Sequence, residues 1–497
     1  MASRHDLGDD IFKRLTPPAP DAGDNEKKAV GLLNAGVDQY LADEGEAAVK
    51  NWREALQLDP RLFEAHLNLA LAHYELGEND EAVTAYREAL RINPDHAKAH
   101  NNLAVVLSVK GALDEAVAEL KEAIRLAPAD ASAHYNLGAA LRNMNKRAEA
   151  IPAYQEAVRL KPDHSDAWTA LAACLLAEED IGAATQAARE AVRVSPQDAR
   201  GHLARGIALR HGRDLDGAIS ACREAVRIAP DSSEAHCHLG LALKDSGNRS
   251  AALDAFKEAA RLDPDFSLPW VEMAQTLLSI ADFRGAATAY KEVVRLRPDE
   301  AVAHCNLAFA LRQAGEADEA IAACKEAIRL QPDLTLAHRL LALGLAAKGD
   351  IAAAIAAYRE LLRLAPDSVD VYEQMGAAFF RVGEHKEALK VLEEGVRLDP
   401  KKPFLHMALG VAHLKLGDLD SAIAESAQAV GLDPTLAYAY YNMALAHAQK
   451  GDADATVENL RQAIRHDPKV RAQVERARRT TFNFLRHHPG FKGLIRR

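Results

Sequence analysis

The sequence predicts an all-α solenoid of about thirteen helix pairs plus a C-terminal capping helix, and three observations carry that prediction. First, prolines recur every 34 residues, from Pro60 through Pro94, Pro128, Pro162, Pro196, Pro230, Pro264, Pro298, Pro332, Pro366, Pro400 and Pro434 to Pro468, without one insertion. A fixed period of this length marks an array in which each unit buries its apolar face against its neighbours. Second, two places in the period stay small. Counting from Phe63 as the first place, the eighth holds Gly or Ala in every copy and the twentieth holds Ala in all but one, where Thr456 stands. Third, apolar residues follow helical three-and-four spacing, as in the inward row His66, Leu69, Ala70 and His73 at the fourth, seventh, eighth and eleventh places.

Residues 1–28 are polar and Pro-rich near Pro17, Pro18 and Pro20, with a short apolar cluster at Ile11, Phe12 and Leu15. They read as a disordered N-terminal segment whose cluster is able to dock on a partner or fold back. Residues 29–470 divide into thirteen copies of 34. Small eighth and twentieth places let helix backbones approach closely. Between the helices Gly77, Gly111, Gly247, Gly315, Gly349, Gly383, Gly417 and Gly451 share one place with Asn145. A positive φ there ends the first helix cheaply. Proline then stops the second helix and resets the chain. Residues 471–497 break the period and read as a basic capping helix and tail. Val474, Phe482, Phe484, Leu485, Phe491, Leu494 and Ile495 offer apolar surface to cover the end of the stack.

Composition narrows the class. At 48% hydrophobic and 27% charged residues the chain is ordinary for a folded protein, and no apolar run reaches membrane-helix length. The N-terminus lacks a basic start followed by an apolar run, so the expected location is the cytoplasm and no membrane insertion is expected. Cys174, Cys222, Cys237, Cys305 and Cys324 are odd in number and form no C-x-x-C pair, which argues for small reduced core residues. A net charge of −11 disfavours nucleic acid. From Lys469 to Arg497 nine Lys or Arg face the single acid Glu475, a surplus of eight, leaving −19 on the remainder. That asymmetry favours acidic or mixed protein partners at the basic end and permits self-association.

The pattern W/H, L, G/A, Y, A, F/Y, A and P at fixed places over 34 residues resembles the tetratricopeptide-repeat family, over nearly 90% of the chain. The resemblance implies antiparallel helix pairs stacked into a right-handed superhelix, with first helices lining a concave groove for extended peptides or partner helices. Pentatricopeptide RNA readers have a period one residue longer, and the acidic charge also separates this chain from them.

A groove-facing row on each first helix should comprise the second, fifth, sixth, ninth and thirteenth places. The sixth place reads Asn34, Asn68, Asn102 and Asn136, then loses the amide until Asn306, Gln374 and Asn442, while Asn101 adds an amide at the fifth place. A side-chain amide carries both a donor and an acceptor, so such a ladder can pair with an extended peptide backbone whatever its side chains. The bland alternative is a common family residue bonding to a neighbouring repeat. The row resembles the asparagine ladder in the repeat arm of eukaryotic O-linked N-acetylglucosamine transferases. Lys98, Asn102 and Asn136 resemble part of the clamp that holds the carboxylate end of chaperone tails, but Asp166 and Ala170 stand where cations are needed, so no clamp is expected. At the twelfth place Arg142, Arg210, Lys244 and Arg312 would make the middle of the groove basic, unless they form only a solvated edge. Arg205 breaks an apolar seventh place, where its stem can pack.

Histidines 66, 100, 134, 202, 236, 304, 338 and 406 hold the fourth place that Trp168, Trp270, Tyr372 and Tyr440 fill elsewhere, which reads as packing and not as metal ligation. No motif asks for a catalytic constellation or a cofactor. The expected function is a non-enzymatic interaction scaffold or adaptor that binds extended peptide segments. Alternatives are a substrate-recruiting or regulatory subunit of a transferase and a self-assembling structural scaffold.

Overall fold

The computed structural model describes residues 14–19 and 22–495. Ile11 and Phe12 lie outside the described residues. Among the described residues there is no β-strand, and thirteen helix pairs run from Asp24–Leu41 with Gly45–Leu58 to Ala437–Lys450 with Ala453–His466. The first helix of the array starts at Asp24, five residues before the expected boundary at residue 29. It thereby extends one and a half turns beyond the 13 or 14 residues of the other first helices.

The described residues divide after Phe266 into two compact units, one with the first seven repeats and one with the remaining six and the C-terminal segment. Inside each unit, every first helix packs on the second helix of its own repeat, and every second helix packs on the next first helix. First helices of successive repeats also touch one another, whereas second helices scarcely do. The first helices therefore form the inner wall of each unit.

Close approach explains the small places. Ala252 at the twentieth place is fully buried, as are its counterparts from Ala48 to Ala422. The exception, Thr456, is also fully buried, and its hydroxyl donates to the Asp452 carbonyl at 2.5 Å. The eighth place faces the twenty-fourth, a residue never more than 3% exposed, from Trp52 through Phe256 to Leu460. A Cβ on Gly36 would lie 2.4 Å from the Trp52 indole, and one on Gly240 would lie 2.5 Å from the Phe256 ring. Glycine is required at these two places because the ring occupies the volume.

The turn between helices has one conformation throughout. All eight glycines at that place have positive φ, and Asn145 joins them at 62°. Asp43, Glu179, Arg213 and Ala281, which the sequence does not single out, adopt the same left-handed geometry. The next residue is often an N-cap: Asp180, Asp214, Asn248, Asp282, Asp350, Asp418 and Asp452 each accept from the amide three residues on. The turn is thus dictated by the packed helices on both sides, not by the residue at its apex. Left-handed geometry costs an ordinary L-residue roughly 1–2 kcal/mol, of which glycine's greater unfolded freedom takes back about 0.4–1 kcal/mol. Ala281→Gly is therefore expected to stabilise its unit by about 0.5–1 kcal/mol, seen as a raised urea midpoint; a lowered midpoint would contradict that balance.

On the exposed faces of the second helices, a Glu-x-x-Arg pair recurs in ten repeats, from Glu88–Arg91 to Glu394–Arg397. The hydrogen bond from Arg125 holds the Glu122 carboxyl below its usual range, and the other pairs follow the same three-residue helical spacing. These charges keep the outer wall polar.

The last segment folds as a cap. Helix Val470–Ala477, a short 3-10 turn at Asn483–Leu485 and helix Pro489–Ile495 follow the final repeat. Val470, Val474, Phe482, Leu485 and Phe491 are buried against Leu460, Ala463 and Ile464, and Leu494 packs at the edge of that cluster. Phe484 departs from the expected covering surface and is 44% exposed. Arg476, Arg478, Arg479 and Arg486 face outward.

Candidate functional site

Ten of the thirteen first helices begin with the same hydrogen bond. The Nε2 atoms of His66, His100, His134, His202, His236, His304, His338 and His406 lie 2.8–3.1 Å from the carbonyl of the proline six residues earlier. Trp168 donates its indole N–H to the Pro162 carbonyl at 3.0 Å, and Tyr372 donates its hydroxyl to the Pro366 carbonyl at 2.9 Å. Packing was the reading from sequence, and the structure adds what these ring types share: a donor that ties the closing proline of one repeat to the opening helix of the next. Leu32 holds the same place in the first repeat, which has no preceding closing proline. The clue was therefore present in the sequence as a correlation between two places. Among the described residues no group of three or more His, Cys, Asp or Glu side chains could hold a metal ion.

With the helices so oriented, the expected amide ladder divides into three kinds of residue. Asn68, Asn101, Asn102 and Asn442 are 2%, 5%, 8% and 7% exposed, so these four sit between helices and not on an open wall. Asn136 Nδ2 donates to Asn101 Oδ1 at 2.9 Å, and Asn101 Nδ2 donates to Asn102 Oδ1 at 3.3 Å. In these two repeats the amides bind one another across the seam. Asn442 Nδ2 reaches the Met407 carbonyl of the preceding repeat at 3.5 Å. Asn306 is half-buried and Lys98 is exposed.

Asn34 differs from all of them. Its Oδ1 accepts from the Leu15 amide at 2.9 Å, and its Nδ2 donates to the Leu15 carbonyl at 3.0 Å. One side-chain amide thus satisfies both polar groups of a residue in a non-helical segment. Beside it, the Arg14 guanidinium pairs with Asp38, four residues along the same helix. The Leu15 side chain packs on the core cluster that contains Leu33, Val37 and Leu69. Farther along the inner wall, Val105, Val109, Tyr135, Asn136, Ala139 and Asn143 line an open cleft between the third and fourth repeats. Leu41 and Val109, both at the thirteenth place, are 69% and 55% exposed.

The twelfth-place cations do not form a uniform basic row. Arg142 is exposed, whereas Arg210 pairs with Asp245 at 3.1 Å. Lys244 is half-buried. In the second unit the Arg312 guanidinium lies 5.8 Å from the centre of the Phe309 ring, a cation–π contact within its own helix. Arg205 is half-buried at its seventh place. His238, at the sixth place of the seventh repeat, is pushed down to about 4 by burial first, then by the Arg210 cation and His211. It is neutral at pH 7 and adds a polar group without a charge.

All five cysteines are buried and unbonded to one another. Burial pushes the Cys222 and Cys324 thiols up to about 12 and the Cys305 thiol up to about 11. Since the thiolate is the reactive form, none of these three is a nucleophile at neutral pH. A disulfide-exchange reagent such as DTNB is expected to titrate no thiol rapidly in the native protein and all five in denaturant. Rapid titration of a native thiol would show an opening of the stack.

Family profiles described as tetratricopeptide repeat match residues 67–131, 176–233, 271–335 and 374–437, and others of that description match 131–164, 233–266 and 437–470. A further profile, described as TPR repeat, matches residues 44–77 and 342–383. Solved structures similar to this chain include pilF of Pseudomonas aeruginosa, 26% identical over 43% of this chain and 97% of that one, with a TM-score of 0.38. YrrB, described as a TPR protein with an unusual peptide-binding site, is 25% identical over 38% of this chain and 97% of its own, with a TM-score of 0.34. The APC/C hetero-tetramer Cut9–Hcn1 covers 94% of this chain and 96% of its own at 15% identity and a TM-score of 0.37. No curated protein matches the chain. Helix pairs in a 34-residue register, small contact places and profile matches through both units agree: the chain belongs to the tetratricopeptide-repeat family.

Proposed function

We propose that the chain is a non-enzymatic scaffold whose first unit binds extended peptide segments along the inner wall of first helices. The observation that carries this reading is the pair of hydrogen bonds between the Asn34 amide and the main chain of Leu15. It is the recognition mode that a peptide-reading amide requires, made here to a non-helical stretch of polypeptide. Backbone pairing is indifferent to side-chain identity, so it supplies affinity, while the apolar lining at Val105, Val109 and Tyr135 supplies selection. The buried amides Asn68 and Asn102 lie between helices, whereas Asn34 and Asn136 are half-buried and Asn136, although it donates one N–H to Asn101, also lines the open cleft, which narrows the reading amides to these two.

The experiment is affinity capture from native lysate with the intact chain and with an Asn34→Ala/Asn136→Ala variant, leaving the buried amides alone so that the fold is spared. Helicity and melting should match the wild type. Recovery of specific partners should drop at least about tenfold, the loss expected when roughly two hydrogen bonds of a peptide contact are removed. Undiminished recovery by the folded variant would take the amides out of partner binding.

A further inference from the structure

The strap formed by Arg14 and Leu15 runs beside the first helix of the array, Asp24–Leu41, against its direction, since Leu15 lies at Asn34 and Arg14 at Asp38, in the second half of that helix. Three independent contacts hold this strap. Asn34 takes both polar groups of the Leu15 main chain, Asp38 takes the Arg14 cation, and the apolar cluster with Leu33, Val37 and Leu69 takes the Leu15 side chain. Pro17 and Pro18 follow after Thr16, fixing φ near the polyproline value and keeping this stretch extended at little entropic cost. Each contact addresses a different chemical property of a two-residue segment: backbone, positive charge and aliphatic bulk. Taken together they define a ligand.

The geometry points to a peptide site on the first repeat that selects an extended segment with a basic residue followed by an aliphatic one, a site that Arg14 and Leu15 fill in cis. A partner segment of that chemistry binds only by displacing the strap. The inference rests on the peptide-scaffold reading above and adds to it a ligand class and a built-in competitor. Asn34 is suited to the role because its amide is not tied to other asparagines, unlike Asn101, Asn102 and Asn136. Asp38 is exposed, so a second basic residue arriving from solvent can reach it. A tethered segment acts at an effective concentration of about 1 mM. A cis contact with an intrinsic dissociation constant of about 0.1 mM therefore weakens binding in trans roughly tenfold. A weak clasp is enough to gate a weak partner.

The test uses the full chain and a fluorescein-labelled synthetic peptide of residues 14–19, Arg-Leu-Thr-Pro-Pro-Ala, read by fluorescence anisotropy. The wild type is compared with an Arg14→Glu/Leu15→Asp variant, which empties the site while leaving the helix pairs intact. The unlocked variant should bind the probe about tenfold more tightly or better, and adding Asn34→Ala should cancel the gain. Equal affinity for the wild type and the unlocked variant, or no binding to either, overturns the proposal. Hydrogen exchange in the unmodified protein gives a second reading: the Leu15 amide should be protected, and Asn34→Ala should release it. Exchange of the wild-type Leu15 amide at the unprotected rate overturns cis occupancy whatever the variants do. Partner capture measured with Asn136→Ala alone separates the two readings, because that amide lies outside the strap and reports on the wider groove only.

Discussion

Phe256→Ala is expected to destabilise the first unit by about 3–5 kcal/mol, the range for a buried aromatic truncation. Phe256 is fully buried on the second helix of the seventh repeat and lies over Gly240 of the first. Because the facing residue is a glycine, no side chain is present to collapse into the space that the ring leaves. The cavity term should therefore persist almost in full. Gly240→Ala alone pushes a Cβ to within 2.5 Å of the ring and should cost about 1–3 kcal/mol through overpacking. The informative variant is the pair Gly240→Ala/Phe256→Leu. Ala104 with Leu120 and Ala444 with Leu460 already occupy these two places in other repeats, so the pair copies a solution the chain uses. Its cost should fall short of the sum of the single costs by about 1 kcal/mol or more. Urea denaturation followed by circular dichroism measures all three, and strict additivity would show that the two places do not share one volume.

The same pairing shows what could be read from the sequence and what could not. Periodic prolines and small eighth and twentieth places were legible because they record constraints inside a single repeat, where 34-residue spacing brings the same partners together every time. The left-handed turn was legible at its glycines and at Asn145, but not at Arg213 or Ala281, where rigid helices on both sides impose a conformation the residue itself disfavours. The fourth-place donor shows in the sequence only as a ring that accompanies the closing proline, because its acceptor is a backbone carbonyl, which has no letter of its own. Burial at Asn68 and Asn102 was hidden for a related reason: helical spacing places a residue on a face, while the neighbouring first helix decides whether that face is covered. The division at residue 266 leaves no trace in a phase that runs through it unbroken. Asn34 was read as a groove amide and the cluster with Leu15 as able to fold back, but nothing in the spacing of the repeats pairs the one with the other.

At the other end of the chain, Phe482→Ala is expected to cost about 3–5 kcal/mol, and the loss should be confined to the last repeat. Phe482 is fully buried in the cap, with its ring centre 6.1 Å from that of Phe491 and 6.4 Å, edge-on, from that of Tyr441 in the final first helix. A terminal repeat has a neighbour on one side only, so its stability depends on whatever replaces the missing neighbour. Here the replacement is the segment from Val470 onward, whose Val474, Phe482, Leu485 and Phe491 close the cluster with Leu460 and Ile464. Native-state hydrogen exchange should therefore accelerate in helices Ala437–Lys450 and Ala453–His466 while helices several repeats away keep their protection. Phe484→Ala is the matched control: the same residue type two positions on, 44% exposed, with an expected change within about 0.5 kcal/mol. Equal effects of the two substitutions would mean that the segment does not cap the stack in this register. A large effect of Phe482 alone would assign the apolar residues of the basic tail to stability, as the cover that the last repeat otherwise lacks.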